Sequence, residues 1–388
     1  MSKVNITKLY YFDFIGTFGG AQQSTVALLN KIDEKYQSLI KTSVIYVAGT
    51  NNQFIENLKI PLHRIDMNNS FNIFKVGNKK FQAILYFMSC GFKVKEIIKK
   101  DKHANERVVV LCNSSKALYT LFFLKILALD FEIYFYSRGW GKKSGFNIVV
   151  RSILNNCVSK ILCVSNQTKE NMSSYIKDDT KLFVTYTSVD LAQLDEFYIE
   201  KPVDTNCLKI LFAGAIIPMK GVKELLEAIN QLDVNYQKRI ELLIAGIDDS
   251  PEVLNYVNEC KVIAQETFSK VSWLGWRNDI PELISAVDVV CLPSYSEGLP
   301  RIIQESMYMG KLVISTPVGG VPSLIEDGVT GYLVQVGSSE SIKDALEKCF
   351  KDRLVGNISK NARHHINKNF NLDNQVKIVV DSIVHENK

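Results

Sequence analysis

Short apolar runs alternate with longer helical patterns from one end of the 388-residue chain to the other, and few folds accommodate that rhythm. The runs read as strands at Ile6–Phe12, Ser43–Val47, Val108–Cys112, Glu132–Tyr136, Ile161–Val164 and Leu182–Thr185. They resume at Leu208–Ala213, Ile240–Ala245, Val271–Trp273, Val287–Leu292 and Leu312–Ser315. Most are continuously apolar rather than alternating, which suits parallel strands covered by helices on both faces. Strand–helix alternation implies parallel sheets built from right-handed crossovers. At roughly 100–200 residues per domain, the length predicts two or three domains. The polar stretch from Ile199 to Cys207, just before a fresh strand, is the expected break. The expected fold class is therefore α/β, with two Rossmann-like doubly wound domains facing a central cleft. The carboxyl ends of the strands would line that cleft, where ligands bind in such sheets.

Composition narrows the class. With 46% hydrophobic and 22% charged residues, the chain is an ordinary globular protein, not a disordered tail, a collagen, a coiled coil or a disulfide miniprotein. Its eight cysteines are scattered without a C-x-x-C pair, which reads as small buried hydrophobes in a reducing compartment. None of the five histidines lies near a cysteine pair, so no zinc site is expected. Met1–Tyr11 reads as a first strand rather than a secretory signal. The longest apolar candidate, Ala117–Phe135, is broken by Lys125, Asp130 and Glu132, short of a membrane span. A cytoplasmic location follows as the expectation, compatible with lying on the inner face of the cell membrane.

Charge divides the chain. Residues 1–190 carry 26 Lys and Arg against 14 Asp and Glu, a balance of +12; residues 191–388 carry 20 against 27, a balance of −7. Such asymmetry suggests two domains with different partners. The positive charge is densest from Lys75 to Arg107, interleaved with Phe71, Phe74, Phe81, Tyr86, Phe87 and Phe92. One reading is a helical pair with a solvated lysine face. The other is an interface whose aromatics enter a headgroup layer while its lysines meet anionic lipid. No recognition helix or RNA-binding signature supports nucleic acid as a partner.

Three loops carry chemistry. The first strand runs into Gly16-Thr17-Phe18-Gly19-Gly20, ahead of a helical pattern. Glycines there either make a tight turn or let backbone N–H groups approach an anion at the helix N-terminus. The strand ending at Ala213 leads to Lys220, placed just before an amphipathic helix; a lysine there opposes the macrodipole unless an anion compensates. After the strand Val287–Leu292 comes Pro293-Ser294-Tyr295-Ser296-Glu297-Gly298-Leu299-Pro300-Arg301, with Pro300 read as the first helical position and Gly310 as the stop. Glu297 precedes that helix and Glu305 lies inside it. A carboxylate in an otherwise apolar helix needs a partner. A polyol with adjacent hydroxyls would serve, and so would a neighbour such as Arg301. Beyond Leu312–Ser315, a Gly319-Gly320 turn, a short helix and a hairpin-like return complete the pattern.

Together these segments resemble the family 4 retaining glycosyltransferases, enzymes of the GT-B fold. Glu297 and Glu305 match an E-x7-E pair, and the stretch from Ser296 to Leu333 resembles the signature running from EGLPR to EDGVTGYL. Gly214–Ala228 resembles the strand–loop–Lys-Gly–helix element, and Gly19-Gly20 the first-strand glycine loop. Looser matches at Asn113–Ala117, Ser137–Gly141 and Cys163–Ser165 are similar to members that build bacterial capsule, exopolysaccharide or O-antigen chains. The resemblance implies an acceptor-binding domain over 1–203, a nucleotide-sugar domain over 204–370, and a C-terminal helix over 371–388 that could cross back onto the first domain. It implies that Glu305 accepts ribose hydroxyls and that Glu297 faces the donor sugar beside the N–H groups of Gly298 and Leu299. Lys220 would neutralise the donor diphosphate, Gly19 and Gly20 would admit phosphate or sugar, and Arg277 beside Trp276 would contact the base. The sugar would move, with retention, from a UDP- or GDP-sugar to a hydroxyl of a lipid-linked glycan, on an anionic membrane surface.

The chemistry fits those residue types. A nucleoside diphosphate leaves, and fixed cations and helix N–H groups stabilise the charge that develops on it. No D-x-D occurs, so no metal or other cofactor is expected. Two departures from the family pattern stand out: Ala215 where arginine is usual, and Arg138 where many members carry histidine. Loss of one cationic contact could cost about 1.5–3 kcal/mol, the range for hydrogen bonds to charged groups. Arg138, Lys142 or Lys143 could restore the charge from across the cleft. Two other functions compete. One is a non-catalytic transferase-like subunit that binds glycan or a partner enzyme. The other is a nucleotide-sugar epimerase, which needs histidines in recognised motifs, and none of His63, His103, His364, His365 or His385 lies in one.

Overall fold

The computed structural model describes residues 6–67, 80–103, 106–126, 130–138, 148–187, 189–198, 206–246, 253–351 and 355–384. The chain divides into two compact units, residues 1–187 with 372–388, and residues 188–371. The expected break at 203–204 lies outside the described residues.

The first unit holds β1 (Thr7–Phe12), β2 (Ile40–Val47), β3 (Leu62–Ile65), β4 (Arg107–Cys112), β5 (Glu132–Ser137), β6 (Val158–Cys163) and β7 (Leu182–Val184). All pair in parallel, in the order β3-β2-β1-β4-β5-β6-β7. The second unit holds β8 (Leu208–Ala213), β9 (Ile240–Ala245), β10 (Lys270–Gly275), β11 (Val289–Leu292), β12 (Leu312–Ser315) and β13 (Tyr332–Leu333). Its order is β10-β9-β8-β11-β12-β13, again parallel throughout. Renumbered within each unit, both sheets begin 3-2-1-4-5-6, the doubly wound order. Chain direction across the sheet reverses between β1 and β4, and between β8 and β11. A crevice opens at such a reversal because neighbouring helices leave for opposite faces.

Burial explains the apolar runs. Every residue of β1, β11 and β12 is buried, as a central parallel strand requires. Each fully buried Leu, Ile or Val side chain contributes roughly 1.5–3 kcal/mol relative to exposure. The sequence reading missed β3 and gave β13 as a hairpin-like return. β13 is instead a two-residue edge strand parallel to β12, with Ile314 opposite Tyr332. Both strands are short edges, and β3 buries only Ile65, so neither shows a continuous apolar run.

The last helix, Leu372–Val384, belongs to the first unit. There Lys160 Nζ and the Tyr134 hydroxyl both donate to the Ser382 carbonyl, and Arg107 donates to that of Ile383. Six of the cysteines are buried and two half-buried, all as free thiols. Burial pushes the thiols of Cys90 and Cys163 up to about 12, so they pack as hydrophobes rather than react.

The basic region keeps the solvated lysine face of the first reading, with Lys99 and Lys100 exposed. It forms a helix, Lys80–Asp101, while Phe71, Phe74 and Lys75 lie outside the described residues. Tyr86 and Phe87 point into the core, 3% and 7% exposed, so they are unavailable to a headgroup layer. Phe87 stacks on Tyr119 with ring centroids 5.8 Å apart.

Candidate active site

The carboxyl ends of β8 and β11 flank the reversal of the second sheet, and the two loops leaving them are tied together. After β8 the chain makes a tight turn, Pro218–Lys220, opened by proline. Gly221 then adopts φ +72°, and a Cβ there would lie 2.2 Å from the Pro293 carbonyl oxygen. Only glycine lets the turn press this closely on the β11 loop. The Tyr295 N–H donates to the Met219 carbonyl at 2.9 Å, completing the tie. Lys220 is thereby delivered to Glu297: its Nζ lies 2.6 Å from Oε1. The side chains are 25% and 9% exposed, so the pair is half-sheltered from water.

Glu297 is held from two further directions. The Ser294 hydroxyl, fully buried, donates to the same Oε1 at 2.7 Å, and Thr316 Oγ1 donates to the Ser294 carbonyl at 2.5 Å. Gly319, at φ +57°, passes so near that a Cβ would lie 1.9 Å from the Glu297 carbonyl oxygen. The Gly320 N–H donates to the Gly298 carbonyl at 2.5 Å. The Gly319-Gly320 turn thus braces the acidic loop by close backbone approach. All the side-chain bonds to Glu297 end on Oε1; among the described residues none reaches Oε2. Nor, among them, does the N–H of Gly298 or Leu299 donate a hydrogen bond. One carboxylate oxygen and two amide donors therefore remain beside a cation, at the start of the helix Arg301–Tyr308. That arrangement accepts a hydroxyl and attracts an anion.

Pro300 is the cap of this helix rather than its first residue, and Met309 closes it with Gly310 beyond at φ +68°. Residues Ile303–Tyr308 are all buried. Glu305, 8% exposed, takes the partner that the sequence left open: Arg301 Nη2 and Nε reach its Oε1 at 2.8 and 3.2 Å. Among the described residues no bond reaches Oε2 of Glu305. Glu305 is thus charge-paired within its helix through Oε1 alone, among the described residues.

Arg277 stands apart from this group. Its Nε lies 2.7 Å from Asp279 Oδ1, in the loop after β10. β10 is two strands out from β8, roughly 10 Å across the sheet. Trp276 beside it is 61% exposed.

The reversal of the first sheet has a different chemistry. Asp13, immediately after β1, is buried; it accepts from Ser114 Oγ after β4, from the Phe14 N–H at 2.8 Å and from the Tyr11 hydroxyl at 3.3 Å. Burial holds its carboxyl above the usual range against the pull of those bonds. Gly19 caps the helix Gly20–Tyr36 in extended backbone, exposed together with Gly20. A Cβ at Gly19 would meet only Gln22 Oε1, at 3.7 Å. Neither backbone angle nor packing calls for glycine there, so its small size leaves open space at a helix start. Arg138, at the end of β5, donates to the Ala21 carbonyl at 2.6 Å and to Thr25 Oγ1 at 2.8 Å, and lies 4.4 Å over the Tyr136 ring. It pins the first turn of that helix. Gly139, Trp140, Gly141, Lys142 and Lys143 lie outside the described residues.

Sequence reasoning missed Ser294, Thr316, Gly221 and Asp13. Asp13 had a readable signal, an acid directly behind the strand run Ile6–Phe12. The others act through backbone proximity, which a linear reading does not show. Among the described residues no group of three or more His, Cys, Asp or Glu could hold a metal ion, and no helix is long and apolar enough to cross a membrane.

The fold is that of two Rossmann-like α/β domains shared with GT-B glycosyltransferases. Solved structures of that shape include a glycosyltransferase from Rickettsia africae, with TM-score 0.78 and 22% identity over 99% of this chain and 100% of that one. Another is Anabaena HepE in complex with UDP, with TM-score 0.76 and 19% identity over 97% and 99%. Residues 195–369 match the family model described as glycosyl transferases group 1. Among curated relatives, the Escherichia coli UDP-Gal:alpha-D-GlcNAc-diphosphoundecaprenol alpha-1,3-galactosyltransferase is 26% identical over 58% of this chain and 60% of that protein. The Campylobacter jejuni N,N'-diacetylbacillosaminyl-diphospho-undecaprenol alpha-1,3-N-acetylgalactosaminyltransferase is 27% identical over 50% of each. The chain spans about half to three fifths of the length of these relatives. The family model covers less than half of this chain, and the solved structures show the shared fold.

Proposed function

We propose that this protein is a retaining, metal-independent glycosyltransferase of family 4. It moves a sugar from a nucleoside-diphosphate sugar to a hydroxyl of a lipid-linked glycan, in the synthesis of a bacterial surface polysaccharide such as capsule or O-antigen. One observation carries the reading: Lys220 and Glu297, 77 residues apart, meet at 2.6 Å at the reversal of the second sheet. Similar proteins support the partners, since one neighbour is a UDP complex and two relatives act on undecaprenol diphosphate-linked sugars.

In this reading the donor diphosphate sits against Lys220 and the N–H groups of Gly298 and Leu299, which stabilise charge as the phosphate leaves. Glu297 Oε2 accepts a sugar hydroxyl, while Ser294 holds Oε1. Glu305 Oε2 accepts a ribose hydroxyl, with Arg301 retained on Oε1. The acceptor oxygen bonds to the anomeric carbon as the carbon–phosphate-oxygen bond breaks, and the acceptor proton passes to the departing phosphate. Gly19 and Gly20 give phosphate or sugar access at the first sheet, and Arg277 with Trp276 serves the base. Arg138 adds positive charge for the diphosphate in place of the family's missing arginine. Arg138→Ala should then raise donor KM or lower kcat; unchanged kinetics remove that role.

Thermal denaturation with UDP, GDP and ADP tests the reading. A ligand at 100 times its Kd stabilises by about 2.7 kcal/mol, a readable rise in Tm. Glu297→Ala should keep that rise yet lose sugar transfer by about 10²-fold. No response to any nucleotide would instead favour a glycan-binding subunit without catalysis.

A further inference from the structure

The helix Arg301–Tyr308, which carries Glu305, is eight residues long. A helix of two turns is marginal alone and takes its direction from what holds its ends. The Arg301–Glu305 pair lies within the helix, so it moves with the helix and cannot locate it. Ile303 and Met307 are fully buried, but apolar burial is non-directional. Direction comes from the carboxyl end, where the last four carbonyls lack partners inside the helix. The backbone that follows satisfies three of them: Glu305 accepts from the Met309 N–H at 2.9 Å, Ser306 from Lys311 at 2.9 Å and Met307 from Gly310 at 3.1 Å. The fourth, the Tyr308 carbonyl, accepts from Arg363 in the helix Val355–Asn369. Arg363 is itself held from several sides. Its guanidinium carbon lies 3.7 Å from the Tyr198 ring centroid and 4.3 Å from that of Tyr308. Its Nη2 reaches Asp195 Oδ1 at 3.2 Å, and the Tyr308 hydroxyl donates to the same oxygen at 2.7 Å. Tyr198 in turn packs on Gly310, where a Cβ would lie 3.1 Å from its ring. All these residues belong to the second unit.

We propose that Arg363 is a positioning residue of the nucleotide site. With Asp195 and Tyr198 it clamps the end of the helix Arg301–Tyr308 and so sets where the Glu305 carboxylate stands. This role builds on the ribose contact proposed for Glu305. A planar fork stacked between two rings and bonded to a carboxylate is rigid, unlike a lone surface ion pair. Its charge also meets the negative end of the helix dipole, and the helix has no basic residue in its own last turn. Tyr308 follows Glu305 by three residues, about 4.5 Å along the axis and within about 60° of the same face. A tilt at the clamp therefore displaces the carboxylate, and a site loosened by about 1 Å no longer fits its ligand.

Calorimetric titration of the full chain with UDP, GDP and ADP tests the proposal, with the tightest binder as the probe. Arg363→Ala should weaken binding about fivefold. Asp195→Ala, at a side chain 58% exposed where folding is not at risk, should weaken it about threefold. Arg363→Lys keeps the charge but neither the fork nor the stacking, and should recover only part of the loss. The cycle with Glu305→Ala separates positioning from mere stability. Arg363→Ala/Glu305→Ala should bind no more weakly than Glu305→Ala alone, because Arg363 acts through that carboxylate. A merely structural role would lower the urea midpoint and leave Kd unchanged, or would multiply the two losses. Either result overturns the proposal, as does wild-type affinity in both Arg363→Ala and Asp195→Ala. A wild type that binds none of the three nucleotides, or wild-type affinity in Glu305→Ala, removes the ribose contact itself and the proposal with it.

Discussion

The two units share one strand order but put opposite chemistry where that order reverses. In the second unit, Lys220 and Glu297 meet with one carboxylate oxygen and two nearby amides uncommitted. In the first, Asp13 is sealed among Ser114, Phe14 and Tyr11, with its negative charge disfavoured by burial. Topology makes a crevice in both places, but among the described residues only the second presents paired charge. The difference separates fold from function: the sheet supplies position, and side chains decide what is held there.

Breaking the second site should have the largest effect. On the proposed reading, Lys220→Ala removes the cation facing the leaving phosphate, and it leaves Glu297 bonded only to Ser294 among the described residues. Turnover of the nucleotide sugar should fall about 10²–10³-fold, the range for loss of one transition-state stabiliser. A loss below threefold in a nucleotide-release assay would separate the couple from catalysis.

Glu305→Ala comes next. If Oε2 binds ribose, nucleoside diphosphate affinity drops about tenfold or more, as for a hydrogen bond to a charged group. Arg301→Ala, read in the same calorimetric titration, should cost far less affinity. Were both variants to lose stability equally and keep full affinity, Glu305 would be only half of a helix ion pair.

The smallest effect belongs to the first unit. Its raised pKa means Asp13 keeps a proton in the folded protein after the unfolded chain has released it. Stability from this residue is full below the ordinary carboxylate value, about 3.9, and declines as pH rises through the raised folded value. Asp13→Asn should remove that decline, so urea midpoints of variant and wild type diverge in the variant's favour as pH rises. Parallel curves would show that Asp13 ionises in the folded state at no cost.

Much of the fold was legible because central parallel strands advertise themselves. Leu208–Ala213, Ile240–Ala245 and Leu312–Ser315 coincide with the observed β8, β9 and β12, being buried or nearly so along their length. Two edge strands were not legible, though the edges β7 and β10 were: β3 carries Leu62, His63 and Arg64 half-exposed or exposed, and β13 has two residues. At the site, Glu297, Glu305 and Lys220 were readable as charges in unusual places. Their pairing was not, because the Lys220–Glu297 contact rests on Gly221 packing against Pro293, a distance of chain that no spacing rule spans. Tyr86 and Phe87 of the basic helix were misplaced for a related reason. Periodicity shows that Tyr86 and Phe92 face different ways, but only the packed core shows which one water sees.

Hydrogen–deuterium exchange of the full-length protein, with and without whichever of UDP, GDP or ADP stabilises it most, tests the central claim directly. Amides in 214–224 and 293–306 should gain protection, the two stretches that the Lys220–Glu297 couple joins. Protection confined to the first unit, around Asp13 and Gly19, would contradict the assignment of the nucleotide to the second sheet.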